Sequence, residues 1–289
     1  MQAVPWWGES HRELAEVQEE DLFQDFEEDT MAGATEYETI LVTKQDRVGT
    51  ITLNRPDKLN ACNLVMWSDI SRALTDLEND ESVRVIVLTG NGRAFSAGED
   101  VDILEFDKGI VTAIKFSEMI FGVFSQFEKI PKIIIAAVNG YAFGFGISVT
   151  LFCDIVLASE KAKFGWKEID HGLMPPETLL TGAEILGKRD IAYLTLTGET
   201  FDAHEAKAIG LINKVLPHDQ LMTEAYRIAD ILKKGAPLSQ AAIKRTLNRR
   251  SKENNDYALS MIPTILATSD AAEGRRAFLE KRPPVYEGK

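Results

Sequence analysis

Two short loops carry the groups best suited to chemistry. The first is Asn91-Gly92-Arg93-Ala94-Phe95-Ser96-Ala97-Gly98-Glu99-Asp100, the second Asn139-Gly140-Tyr141-Ala142-Phe143-Gly144-Phe145-Gly146. Each follows a run with the character of a buried strand, and strand ends are where α/β proteins place ligands. Two such loops can aim backbone N–H groups at one oxygen, stabilising developing negative charge without reorganising a side chain. Their glycines serve equally well as tight turns, and spacing alone does not separate the two uses. Gly144-Phe145-Gly146 lacks the rest of a dinucleotide fingerprint, and no Walker sequence occurs. Downstream stand Glu168, Asp170, His171 and Glu177. A loop glutamate is ordinarily solvated, and Glu177 suits a helix N-terminus, where the dipole favours an acid. Ser148 has no visible His-Asp set to make it a nucleophile.

The elements holding these loops read as an alternation of strands and helices. Residues 37–43 and 48–53 are β-rich and separated by Lys44-Gln45-Asp46-Arg47, a hairpin pattern, and Pro56 ends the second run. Residues 64–77 place Leu64, Met66, Trp67, Ile70, Leu74 and Leu77 largely on one helical face. Residues 83–88 and 132–138 are nearly continuous apolar runs, the pattern of strands covered on both sides. A helix over 110–127, a short apolar helix over 144–152 and a strand over 154–158 follow. Helices are then expected over 190–197, 203–209, 221–234, 238–248 and 254–268. This order argues for stacked β-β-α units in an α/β core. No linker, low-complexity run or fixed-period repeat interrupts it.

Composition narrows the function classes. The net charge is −13 over 289 residues, but residues 1–29 hold ten acidic groups and one Arg. Beyond them the chain is close to neutral. That balance argues against nucleic acid as the main partner, since phosphate binding needs clustered Lys and Arg. No apolar run approaches the roughly 20 residues of a membrane span. Cys62 and Cys153 each sit in apolar sequence and read as buried thiols of a reducing, cytoplasmic setting. Residues 1–35 read as an acidic extension, either solvated or a short partner-binding helix carrying Leu14, Val17, Leu22 and Phe26. They fit neither a secretory nor a mitochondrial targeting pattern.

Six segments, in order, resemble the characteristic stretches of the crotonase (enoyl-CoA hydratase/isomerase) superfamily. They are Asn54-Arg55-Pro56-Asp57-Lys58-Leu59-Asn60-Ala61, Phe95-Ser96-Ala97-Gly98-Glu99-Asp100, Ala137 to Gly144, Cys153-Asp154-Ile155 to Phe164-Gly165, Leu196-Thr197-Gly198 to Asn213, and Glu273-Gly274 to Arg282. The resemblance runs from about residue 37 onward. It implies an acyl-CoA-binding spiral of β-β-α turns over 36–220 and a C-terminal helical region over 221–289 that packs trimers, some paired into hexamers. It further implies an acyl-CoA substrate whose thioester oxygen lies between the N–H groups of Ala97 and Phe145. Lys58, Leu59 and Ala61, with Gly98, Glu99 and Asp100, would contact the coenzyme. No separate cofactor and no metal are expected, coenzyme A entering only as part of the substrate.

The sequence departs from that pattern around the acyl pocket. Of the two glutamates of the family's hydratases, one maps onto Ser148 and the other onto Glu168 in Phe164-Gly165-Trp166-Lys167-Glu168. Phe145 replaces the middle Gly of a usual triplet, and Ser148 and Trp166 are expected near the acyl group. A single carboxylate shuttles a proton between carbons more readily than it hydrates, which favours isomerisation. Glu177 is a candidate second acid, as in dienoyl-CoA isomerases. Competing readings are another reaction on the same oxyanion site (carbon–carbon hydrolysis, decarboxylation or thioester hydrolysis) and a catalytically silent binding module. RNA binding through Lys244-Arg245 and Arg249-Arg250 is a third.

Overall fold

The computed structural model describes residues 36–100, 110–248 and 267–285. The acidic extension, Arg249-Arg250 and nearly all of the helix expected over 254–268 lie outside the described residues. The description concerns the unit Tyr37–Lys289.

Strands β1 (Ile40–Gln45) and β2 (Val48–Leu53) form an antiparallel hairpin. Asp46 and Arg47 turn it with φ of 46° and 64°, the left-handed pair that suits a two-residue turn. Beyond β2 the sheet is parallel, through β3 (Val85–Gly90), β5 (Ile133–Val138), β7 (Ile155–Ser159) and β10 (Lys214–Leu216). Both faces are covered. Ile86, Leu88, Ile134 and Ala136 pack with Met66, Trp67 and Ile70 of α1 (Leu64–Asn79), while Val85, Val87 and Ile135 pack with Ala225 and Ala229 of α7 (Leu221–Lys233). Alternate side chains therefore enter opposite layers, which is why these strands show no polar alternation. Asn63 caps α1 by accepting the Met66 N–H at 2.9 Å, worth about 1 kcal/mol.

A second sheet carries the loops. Its strands are β4 (Ala94–Ser96), β6 (Tyr141–Phe143), β8 (Lys163–Gly165) and β9 (Phe201–Asp202), in that order. Each strand β3, β5 and β7 hands the chain to a short strand of this sheet, which leads toward a helix: α2 (Ile110–Lys129), α3 (Phe145–Ser148) or α4 (Pro176–Ile185). These are the expected β-β-α turns. Period reading did not resolve the short strands or α4, and the helix expected over 144–152 is one α-turn followed by a 3-10 turn.

Helices dominate from α5 (Lys188–Thr197) through α6 (Ala203–Ala208) to α8 (Pro237–Leu247) and a C-terminal helix, Ser269–Leu279. Lys244 of α8 is buried, its Nζ 2.8 Å from Asp154 Oδ2 and 3.2 Å from the Lys132 carbonyl. It anchors α8 to the sheet, so half of the basic pair Lys244-Arg245 is withdrawn from any surface that RNA would meet. The C-terminal helix lies against the turn Glu168–His171: a Cβ at Gly274 would stand 2.0 Å from the His171 carbonyl oxygen. Among the described residues no helix is long and apolar enough to cross a membrane.

Candidate active site

The two segments expected to meet the coenzyme are laced to each other. Cys62 N–H donates to the Gly98 carbonyl and Asp100 N–H to the Cys62 carbonyl, both at 2.8 Å. Asn60 is the buried keystone: its Nδ2 donates to the Asn91 and Ala94 carbonyls at 3.0 and 2.9 Å. Its Oδ1 accepts the Arg55 N–H at 2.9 Å. Arg55 in turn pairs with Asp100 at 2.9 Å. Leu59 and Asn60 adopt φ of 53° and 56°, which turns the loop sharply and leaves Lys58 exposed at its rim. Lys58, Leu59, Ala61, Gly98, Glu99 and Asp100 are thus brought together.

The two N–H groups expected to share one oxygen, those of Ala97 and Phe145, are placed differently. Ala97 N–H donates to the Leu59 carbonyl at 2.9 Å and belongs to the lacing. Phe145 N–H points instead at Glu99 Oε2, 3.2 Å away. The backbone N–H of Glu99 bonds the same carboxylate. The N–H groups of Phe145 and Glu99 therefore meet at the Glu99 carboxylate. An N–H engaged by a carbonyl in the loop framework cannot turn to a ligand without breaking that framework.

Gly144 makes the convergence possible. Its φ of 48° and ψ of −117° suit glycine, and a Cβ there would stand 3.0 Å from Glu99 Oε2 and 3.7 Å from Glu168 Oε1. Two carboxylates and a backbone donor thus face one spot. Glu168 opens the 3-10 turn Glu168–His171, with Oε2 fully buried. The Phe145 side chain turns away into the core, its ring centroid 4.7 Å from Trp67 in an edge-on contact. Burial pushes the Glu99 carboxyl above the usual range, and the N–H groups of Glu99 and Phe145 act in the opposite direction.

Ser148 is elsewhere. It is buried, with Oγ 2.7 Å from Thr178 Oγ1, which also accepts Trp166 Nε1 at 3.2 Å. Trp166 is wholly buried, so both residues are committed to a polar cluster inside the core rather than exposed toward an acyl group. Glu177 is the second residue of α4, the placement a helix dipole favours; its side chain lies outside the described residues. Asp170 lies against Gly198, an Oδ1 only 3.1 Å from where a Cβ would be. His171 meets Phe278 of the C-terminal helix edge-on at 5.1 Å, and burial pushes its pKa down. Sequence reasoning missed three roles: the Asn60 keystone, the Thr178 hydroxyl and the Glu99 side chain. Only the last had a visible signal, an acid set inside a donor loop.

Residues 43–289 match the family model described as Enoyl-CoA hydratase/isomerase. A probable enoyl-CoA hydratase of Mycobacterium bovis is 37% identical over 257 residues, covering 86% of this chain and 98% of that protein. The 2,3-dehydroadipyl-CoA hydratase of Escherichia coli is 33% identical, with 86% and 99% covered. Among solved structures, carnitinyl-CoA hydratase from Mycobacterium avium matches with a TM-score of 0.77 at 32% identity, over 88% of this chain and all of that one. Methylmalonyl-CoA decarboxylase in complex with 2-nitronate-propionyl-CoA matches with a TM-score of 0.77 at 26% identity, with 88% and 100% covered.

Proposed function

The chain belongs to the enoyl-CoA hydratase/isomerase family, and from that premise we propose that it isomerises an enoyl-CoA, with Glu168 as the proton-transfer group. The observation that carries this reading is the approach of Glu168 Oε1 to the spot where the Phe145 N–H points. Glu168 removes a proton from C2 of a 3-enoyl thioester. The electrons of that C–H bond form C1=C2, and the thioester oxygen becomes an enolate oxygen bonded to the N–H groups of Phe145 and Glu99. Glu168 then returns the proton to C4 as the double bond settles between C2 and C3. Each donor is worth on the order of 3 kcal/mol to such a transition state.

Ser148 is tied to Thr178, which leaves it poorly placed to hold a water. Hydration is the second reading. It is favoured by the carboxylate of Glu99 at the same spot and by the hydratases among the relatives. The test is chromatographic separation of the isomers, with mass analysis, of products from 3-enoyl- and 2-enoyl-CoA esters. Conversion without added water supports isomerisation; gain of one water moves the reaction to hydration; turnover of neither sinks both.

Assembly is proposed as a trimer, or a pair of trimers. Leu196 of α5 and Leu238 and Leu247 of α8 stand 72%, 85% and 79% exposed in the single chain, apolar surface that a subunit contact would cover. Light scattering at micromolar protein should give a multiple of three.

A further inference from the structure

One carboxylate at the site has no part in that mechanism. Glu99 Oε2 accepts the Phe145 N–H at 3.2 Å, and the Glu99 backbone N–H bonds the same group. These are the two donors assigned to the thioester oxygen. An acyl-CoA and the Glu99 side chain therefore compete for one place. We propose that the Glu99 carboxylate is an internal stand-in for the thioester oxygen, held in the donor pair until an acyl-CoA displaces it, and that the displaced side chain takes up a proton. The inference rests on the acyl-CoA reading above.

The proton follows from what the side chain loses. In place, two N–H bonds favour the ionised form against burial, which opposes it. Displacement removes both bonds, the two contributions that hold the carboxylate in its ionised form. Among the described residues, the neighbouring cations are already engaged. Arg55 is held by Asp100 and by the Ala61 carbonyl. Cys62, beside Glu99 through the Cys62–Glu99 bridge, is a thiol that burial keeps protonated. Glu168 faces the same spot with a second carboxyl group and no donor N–H to replace those lost. Lys167, next in sequence to Glu168, turns its Nζ to the Gly198 carbonyl. A second carboxylate beside a developing enolate is also repelled by it, so the neutral acid is the form that substrate selects.

The consequence is proton-linked binding. A group whose pKa rises on binding favours the complex at low pH, and affinity falls as pH climbs through the free-state pKa. The experiment is titration calorimetry of the full-length protein with butyryl-CoA, a saturated ester that needs no turnover. It is run in two buffers of different ionisation enthalpy. Coenzyme A serves as the control, because it has the same phosphates and no thioester oxygen.

Wild type should take up about one proton more with butyryl-CoA than with coenzyme A, and Glu99→Gln should show no difference. In wild type alone the butyryl-CoA Kd should weaken by up to about tenfold per pH unit above that pKa. That slope serves even if the variant does not fold. Binding of butyryl-CoA with no extra proton and a flat pH slope overturns the role of Glu99 and leaves the acyl-CoA reading intact. No binding by wild type at any pH overturns both.

Discussion

The two sheets of this molecule divide its labour. Strands β2, β3 and β5 have six residues each and are buried almost throughout, their side chains shared between two apolar layers. Strands β4, β6 and β8 have three residues each, and each leads within a few residues to the candidate site: Glu99, Gly144 and Phe145, and Glu168. The long strands gain stability from area removed from water, at about 25 cal/mol per Å². The short ones gain little by themselves and fix position instead. Stability and chemistry therefore respond to different substitutions.

The sharpest way to separate them is Glu168→Gln. It keeps shape and hydrogen-bonding capacity but removes basicity, so turnover should fall by about 10²- to 10⁴-fold with the thermal midpoint unchanged. Steady-state kinetics on whichever ester the wild type converts would check this, and wild-type turnover by the variant would move the catalytic centre elsewhere. The converse change is Leu88→Ala in β3, a fully buried side chain. It should cost about 2–5 kcal/mol in urea unfolding, while the molecules still folded turn over normally. A loss of activity at full stability would mean that the large sheet does more than support.

Thr178→Val probes the boundary between the two roles. It takes a hydrogen-bond partner from both Ser148 and Trp166 and should destabilise by about 1–3 kcal/mol. The smallest effect is expected for Ser148→Ala, about 1 kcal/mol or less in stability and no more than a few-fold in turnover. A hundredfold loss of turnover from Ser148→Ala would return that residue to the chemistry and undo its assignment to the buried cluster.

The same division decides what was legible in the sequence. Residues 133–138 read as a buried strand because Ile-Ile-Ile-Ala-Ala-Val has no polar interruption, and α1 read as a helix from its apolar face. Three-residue strands have too few side chains to display a period, so Ala94–Ser96 and Lys163–Gly165 were readable only as loop. At the site, Phe145 and Glu168 were reached by resemblance. Ala97 was assigned as a donor because nothing in a string of residues tells which N–H the Leu59 carbonyl will claim. Glu99 was counted among coenzyme contacts for its backbone. Its side chain acquires meaning only when Gly144, distant in sequence, is folded against it.

The contact between Gly274 and the His171 carbonyl has a consequence in time rather than in space. The turn that begins at Glu168 is made early, and the helix that buttresses it is made long after, since synthesis runs from the N-terminus. A nascent chain can complete its large sheet while this turn still lacks its outer support. The carboxylate proposed to transfer the proton thus reaches its final setting among the last parts of the fold. A chain cut short before the Ser269–Leu279 helix would leave the Glu168–His171 turn without that outer support.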